Sequence, residues 1–275
     1  MTPIMHNSYD MSASGQAVRN RVLRNTYWLL ALSMIPTMLG AFVGVSLQVP
    51  IFSGFMGFML FMAIAFGFIY AIEKTKNSGV GVAVLLGFTF FMGLMMTPLL
   101  TRTLGYSNGA EMIMMAFGGT ATILAVMASI ATTSKRDFSM MGKWLTAGVI
   151  VVLLAAVANI FLGMPALSIA ISVLVIGIFS AFILYDVQRI VNGGETNYVT
   201  ATLGLYLSVY NIFTSLLHLL GLGGGDSIAE CLVILMGRLG HHASLPVRST
   251  VVDHHLPPNK FPLFATQVYT GWHPV

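Results

Sequence analysis

Seven stretches of about 20 mostly apolar residues follow one another along the chain, and this repetition restricts the fold more than any other feature. A helix rises about 1.5 Å per residue, so 20 residues cross a hydrocarbon layer about 30 Å thick. The stretches are 27–47, 51–72, 79–100, 112–131, 144–162, 165–185 and 201–222. Their connections are too short to hold a folded domain. The sequence therefore predicts an all-α membrane protein, with a seven-transmembrane-helix bundle over residues 25–226.

Charged side chains make up 8% of the 275 residues, against about 25% in soluble domains. So few ionised groups cannot cover the surface of a soluble protein, and this argues against soluble and nucleic-acid-binding classes. The partner that the composition requires is the lipid bilayer. A single cysteine, Cys231, leaves no internal disulfide to predict.

The positively charged residues predict an orientation, because Lys and Arg accumulate on the cytoplasmic side of membrane proteins. Nine of the ten within residues 1–226 fall on the side of the amino terminus, and only Arg102 falls on the other. The nine are Arg19, Arg21, Arg24, Lys74, Lys76, Lys135, Arg136, Lys143 and Arg189. We therefore expect a cytoplasmic amino terminus and, after seven spans, a periplasmic carboxy terminus.

The two ends of the chain differ from the apolar middle. Residues 1–24 are polar, lack the pattern of a secretory signal and are expected to form a flexible cytosolic arm. Residues 227–275 contain five of the seven histidines and five of the ten prolines. The abrupt change at Ser227 suggests an appended, disordered extension. Metal binding by its histidine pairs, His241–His242 and His254–His255, is the alternative, but adjacent histidines lack ligand-like spacing, so no metal or cofactor site is predicted.

Asp186 ends the sixth stretch, and an ionisable group inside a span costs about 2.5–3.5 kcal/mol at the bilayer centre. Two interpretations stay open. The carboxylate is either an interfacial group that pairs with Arg189 or caps a neighbouring helix, or a gate that responds to protons or cations.

A polar stripe follows the seventh stretch. Its members are Ser208, Asn211, Ser215 and His218, at intervals of 3, 4 and 3 residues, which places them on one helical face. That face is expected to point into the bundle, either to form interhelical hydrogen bonds or, with Asn159 of the fifth stretch, to line a hydrated cavity. Gly40 and Gly44 have the GxxxG spacing that predicts close helix packing.

Catalysis is not expected. Tyr185–Asp186 and Gly223–Asp226 resemble the two aspartate motifs of intramembrane aspartyl proteases. The predicted topology puts these aspartates at opposite membrane faces, about 30 Å apart. Two carboxylates that share a proton must lie within a few ångströms, so no catalytic residues are predicted.

Four segments resemble the YccA-type proteins of the Bax inhibitor-1 family. They are residues 22–27 (VLRNTY), 157–162 (VANIFL) with the following 165–167 (PAL), 193–198 (GGETNY) and 205–213 (LYLSVYNIF). The likeness covers about residues 20–226. It implies a bacterial inner-membrane protein that is not an enzyme. YccA-type members associate with the membrane protease FtsH and its HflK–HflC partners, as modulators and slow substrates.

The resemblance also implies roles for particular residues. The arm that the protease grips corresponds to residues 1–24, with Arg19, Arg21 and Arg24 as candidate handle residues. Other family members are pH-sensitive calcium leak channels that use two aspartates. Asp186 matches the first of these, but Ser208 stands at the second, so the coupled pair is absent. A cation leak gated through Asp186 remains the alternative function.

Overall fold

The computed structural model describes residues 6–47, 54–134, 136, 138 and 140–223, with the backbone alone at 6–15, 54, 55, 58, 222 and 223. The predicted extension at 227–275, with its histidine pairs and Asp226, lies outside these residues. The described chain forms eight α-helices. They are α1 (His6–Ser46), α2 (Gly54–Thr75), α3 (Gly79–Met95), α4 (Thr97–Leu104), α5 (Gly109–Thr133), α6 (Met141–Leu162), α7 (Pro165–Val191) and α8 (Tyr198–Gly223).

Five of these helices, α1, α5, α6, α7 and α8, are long and apolar enough to cross a membrane. Helices α3 and α4 together make a sixth if the bent pair is one span. Helix α2 has 22 residues, but its described part is not counted among the helices that are long and apolar enough to cross a membrane. The all-α class is therefore confirmed for the described chain, while the count of seven spans and the orientation stay predictions.

The third predicted span bends by 42° where α3 meets α4. Pro98 lies in the first turn of α4 and has no N–H to donate to the carbonyl of Leu94, four residues earlier. The hydroxyl of Thr97 donates to that carbonyl instead, at 2.6 Å. The carbonyl of Leu94 is therefore paired despite the bend.

Helix α1 is longer than the first predicted span, since it begins at His6 and runs without a break to Ser46. Most of the predicted arm is thus helical, because polar side chains do not prevent a helix from continuing beyond a membrane. Of the described side chains, Gln16 to Val18 are exposed, and the first buried one is Val22.

Helix α8 is the centre of the bundle. More than half of its span is buried, 56%, against 11% for α6. It contacts α1, α2, α3, α4, α5 and α7, whereas α6 contacts only α7 and α2 among the described helices. Aromatic contacts join α8 to its neighbours: the Tyr206 ring lies 6.2 Å from that of Phe88, which lies 5.7 Å from that of Phe68 on α2.

Helices α1 and α3 approach at backbone distance through glycines. A Cβ on Gly40 would collide with the carbonyl oxygen of Phe90, and one on Gly93 would collide with that of Thr37. A Cβ on Gly44 would collide with the side-chain hydroxyl of Thr97, the first residue of α4. Close packing at the GxxxG pair is therefore confirmed. Lipid is as apolar as the helix surface, so such close contact is a main source of attraction between helices.

We expect Gly40→Ala to lower the free energy of unfolding by about 1–3 kcal/mol, since the backbone of α3 must move to accept the methyl group. Unfolding of the protein in detergent micelles measures this. Gly118→Ala is the matched control, because a Cβ at Gly118 of α5 meets nothing within 4 Å. The control should be neutral or slightly stabilising. Equal effects of the two substitutions would contradict the assignment.

Candidate functional site

The turn between α7 and α8, residues 192–197, reverses the chain at one end of the bundle. Gly193 has φ +76°, a left-handed conformation that L side chains rarely adopt. The backbone N–H of Gly193 donates to the carbonyl of Ile190 at 3.0 Å, and those of Gly194 and Glu195 donate to Arg189 at 2.8 and 3.2 Å. These bonds satisfy carbonyls that the end of α7 would leave unpaired.

Glu195 holds this turn in shape. Its Oε1 accepts the backbone N–H groups of Thr196 and Asn197, both at 3.0 Å. Its Oε2 lies 3.3 Å from the guanidinium of Arg189. Glu195 is 14% exposed and Arg189 47%, so this ion pair lies at the edge of the bundle.

Asn197 connects the turn to a second part of the chain. Its Oδ1 accepts the N–H groups of Val199 and Thr200, at 2.9 and 3.2 Å, and so caps α8. Its Nδ2 donates to the carbonyl of Lys76 at 3.1 Å and to Oδ1 of Asn77 at 2.9 Å. One side chain therefore starts α8 and fastens the α2–α3 connection.

Gln188 fastens the connection between α5 and α6. Its side chain is buried, accepts the N–H of Phe138 at 2.7 Å and donates to the carbonyl of Arg136. Beside it, the ring of Tyr185 occupies the space next to Gly142, where a Cβ would lie 2.8 Å from the ring. Two connections and the α7–α8 turn therefore meet at the same end.

Helix α1 packs against this end as well. Val22 forms a buried cluster with Ile190 of α7 and Ala201 of α8. The side chain of Arg19 lies along the turn, with its Cδ 3.5 Å from where a Cβ on Gly193 would stand. Arg21 and Arg24, the other candidate handle residues, are exposed.

We call this end the basic end, because the described positive charges other than Arg102 lie on α1 before its apolar part or at the α2–α3, α5–α6 and α7–α8 connections. They are Arg19, Arg21, Arg24, Lys74, Lys76, Arg136, Lys143 and Arg189. The charge asymmetry of the sequence thus corresponds to one end of the folded bundle.

Asp186 lies near the basic end and faces α8. Its Oδ2 is 3.0 Å from where a Cβ on Gly204 would stand, so the missing side chain makes room for the carboxylate. The hypothetical ion pair between Asp186 and Arg189 is not formed among the described residues, since Arg189 pairs with Glu195 instead. Ser208 lies one turn further along α8 and donates to the carbonyl of Gly204 at 3.1 Å.

The predicted polar stripe of α8 is largely covered. Ser208 and Ser215 are buried, and Asn211 and His218 are half-buried. Asn211 donates back to the carbonyl of Leu207 on its own helix, at 2.8 Å. The side-chain bond from the stripe to another helix joins Nδ1 of His218 and the hydroxyl of Ser172, at 3.1 Å.

Asn159 lies at the opposite end from Asp186, in the last turn of α6. Its Nδ2 donates to the hydroxyl of Ser168 at 2.7 Å, and its Oδ1 accepts the N–H of Met164 at 3.0 Å. It thus closes the Gly163–Pro165 turn, in which Gly163 has φ +62°. Its described bonds do not join it to Ser208 or Asn211.

Sequence reasoning missed a second set of polar residues on α8. The hydroxyl of Tyr206 lies 2.9 Å from that of Thr37 on α1, and the hydroxyl of Tyr210 donates to the carbonyl of Met92 on α3 at 3.3 Å. Thr202 donates to the carbonyl of Thr26 on α1 at 3.3 Å. These three residues are spaced four apart, which places them on one face of α8, and this spacing is the sequence signal that could have revealed them.

Among the described residues, no group of three or more His, Cys, Asp or Glu side chains could hold a metal ion.

Comparison with known proteins decides the family. The family model described as inhibitor of apoptosis-promoting Bax1 (Bax1-I) matches residues 19–225, about three quarters of the chain. The chain belongs to the Bax inhibitor-1 family. The match starts at Arg19, where α1 meets the basic end, and runs through α8.

Relatives within the Bax inhibitor-1 family cover the same region. The modulator of FtsH protease YccA of Escherichia coli K12 is 38% identical over 226 residues, which are 82% of this chain and 100% of that protein. The protein named inner membrane protein YccA, from Escherichia coli O6:H1, matches to the same extent. An uncharacterised membrane protein of Vibrio cholerae is 37% identical over 205 residues, 74% of this chain and 90% of its own.

In this Bax inhibitor-1 protein, Asn197→Ala should free the α2–α3 connection and remove the cap of α8, at about 0.5–2 kcal/mol for the cap alone. Limited trypsin digestion at Lys74 and Lys76 should become faster. Asn197→Asp separates the two roles, because it keeps the capping oxygen and loses the donors to Lys76 and Asn77. It should speed the cleavage while keeping most of the stability.

Asn192→Ala, an exposed position in the same turn, is the control. Cleavage at the wild-type rate in both Asn197 variants would show that the amide does not hold the connection.

Proposed function

We propose that this Bax inhibitor-1 protein modulates an FtsH-type membrane protease and is itself a slow substrate of it. The observation that carries the proposal is the 38% identity with the FtsH modulator YccA over the full length of that relative. In this proposal the protein is not a catalyst. It acts by associating with the FtsH–HflK–HflC complex in the inner membrane and by competing with other membrane proteins for degradation.

The proposal includes an orientation. The basic end faces the cytoplasm, since eight described cations lie there and Arg102 lies at the other end. The amino terminus is then cytoplasmic and within reach of the protease, and with seven spans the carboxy terminus is periplasmic.

The grip on the chain falls before Arg19. Gln16 to Val18 are exposed and the first buried side chain described on α1 is Val22, so we place the handle before Arg19, within the arm of residues 1–24. Arg19, Arg21 and Arg24 mark its inner boundary. Pulling on it first meets the cluster of Val22, Ile190 and Ala201, and then the glycine contact between α1 and α3. These contacts account for slow extraction.

Deletion of residues 2–18 should leave membrane insertion intact and slow degradation by FtsH several-fold, because the protease loses its grip while the packed bundle is unchanged. A pulse-chase measurement in cells with and without active FtsH checks this. A variant with residues 2–18 in shuffled order is the control and should be degraded like the wild type. Wild-type turnover of the deletion variant would contradict the handle.

A second candidate function is a cation leak gated through Asp186. The observation in its favour is a half-buried carboxylate that faces Gly204 on the central helix and forms no ion pair within the described chain. Ser208, one turn away, supplies no second carboxylate. In this candidate function, the single carboxyl group of Asp186 would control whether α7 and α8 separate to let a cation pass.

This candidate predicts that purified protein makes liposomes permeable to Ca²⁺, and that Asp186→Asn removes the pH dependence of the flux, because the amide does not titrate. Glu73→Gln is the control, since Glu73 is exposed and already paired with Lys76. Liposomes that stay tight at every pH would eliminate the leak function.

A further inference from the structure

A cleft opens at the basic end, between α1 and the end of α7. It is lined by Gln16, Arg19, Asn20, Leu23 and Val191 and has a volume of about 270 Å³. We call it the α1–α7 cleft. A second cleft of about 240 Å³ has Tyr185, Gln188, Arg189 and Gly194 along its walls and also borders the end of α7.

The charge in the α1–α7 cleft is positive. Arg19 takes part in neither of the two ion pairs formed within the described chain, Lys76–Glu73 and Arg189–Glu195. The carboxylate near the cleft, Glu195, already faces Arg189. The carbonyls of Gln188, Arg189 and Ile190, near the end of α7, accept hydrogen bonds from the α7–α8 turn, so they repel an anion less than unpaired carbonyls would. The guanidinium of Arg19 is therefore available to an anion.

The walls of the cleft are amphipathic. Arg19, Asn20 and Gln16 bring hydrogen-bond donors, while Leu23 and Val191 bring apolar surface. The donors succeed one another toward the start of α1, and Leu23 lies on the side of the apolar span. A ligand that fits this order has an anionic head beside Arg19 and an apolar part that continues along α1 toward the hydrocarbon layer.

The position of the cleft relative to the apolar part of the bundle agrees with such a ligand. Trp28, 74% exposed, lies nine residues along α1 from Arg19, about 14 Å of helix axis. Exposed tryptophans concentrate where hydrocarbon meets headgroups. Trp144, 80% exposed near the start of α6, marks the same end of the bundle. The α1–α7 cleft therefore lies on the headgroup side of the apolar band.

We propose that the α1–α7 cleft binds the headgroup of an anionic phospholipid, with the phosphate beside Arg19 and the glycerol and first methylenes against Leu23 and Val191. A bound lipid links α1 to α7 at the point where the proposed protease handle ends. Basic pockets between membrane helices are suited to anionic headgroups.

The test uses the full chain in neutral detergent micelles, with bound lipid counted by native mass spectrometry during titration with phosphatidylglycerol. Phosphatidylcholine and inorganic phosphate are titrated in parallel. Phosphatidylglycerol should bind more tightly than phosphatidylcholine. Arg19→Gln should weaken the binding of phosphatidylglycerol about five-fold, because this factor corresponds to the free energy with which an anionic membrane surface attracts one arginine. Arg21→Gln removes the same charge from an exposed position outside the cleft and should have less than about half that effect.

A second pair of variants keeps Arg19 and so decides the matter if Arg19→Gln does not fold, as judged by circular dichroism. Gln16→Glu places a negative charge in the cleft and should weaken phosphatidylglycerol binding, whereas Ala17→Glu adds the same charge at an exposed neighbour and should not. Equal effects within both pairs would overturn the proposal. So would equal binding of phosphatidylcholine, or displacement of the lipid by inorganic phosphate, which would assign the cleft to the free ion.

Discussion

The bundle depends on the contact between α1 and α3, where two backbones meet without intervening side chains. Gly40 and Gly93 face each other's helices, so the carbonyls of Phe90 and Thr37 occupy the space of absent methyl groups. In a bilayer the hydrophobic effect does not hold helices together, and close van der Waals contact must do so. Once α1 and α3 are this close, α8 can contact both and become the central helix.

Polar groups in the bundle serve two purposes that the structure separates. The hydroxyl groups of Thr202, Tyr206 and Tyr210 bond across helices and fix α8 against α1 and α3. Ser208 and Asn211 bond within α8, and the described side-chain bond from their face to α7 is the one between His218 and Ser172. Asp186 lies on that side, against Gly204. A movement of α7 relative to α8 would therefore break fewer hydrogen bonds than one of α1 or α3.

Much of this architecture follows from local sequence rules. The GxxxG pair predicted the backbone contact, the break between the stretches 144–162 and 165–185 predicted the connection after α6, and the distribution of Lys and Arg matched one end of the bundle. The bend at Pro98 was missed because the spans were predicted from the hydrophobicity of about 20 residues together, and one missing N–H group does not change that hydrophobicity. The hydroxyl face of α8 was missed because tyrosine and threonine are too apolar to mark a stripe. Arg189 pairs with Glu195 rather than Asp186 because the turn at Gly193 brings Glu195 back to α7, which residue spacing alone does not reveal.

The double role of Asn197 has a thermodynamic consequence. The same amide caps α8 and holds the α2–α3 connection, so fraying of the first turn of α8 and release of that connection become one cooperative event. Any partner that prefers the released connection must also pay for an uncapped central helix. A partner that binds the released connection at Lys76 therefore lowers the stability of the first turn of α8, and a well-ordered first turn weakens the binding of that partner to the same extent.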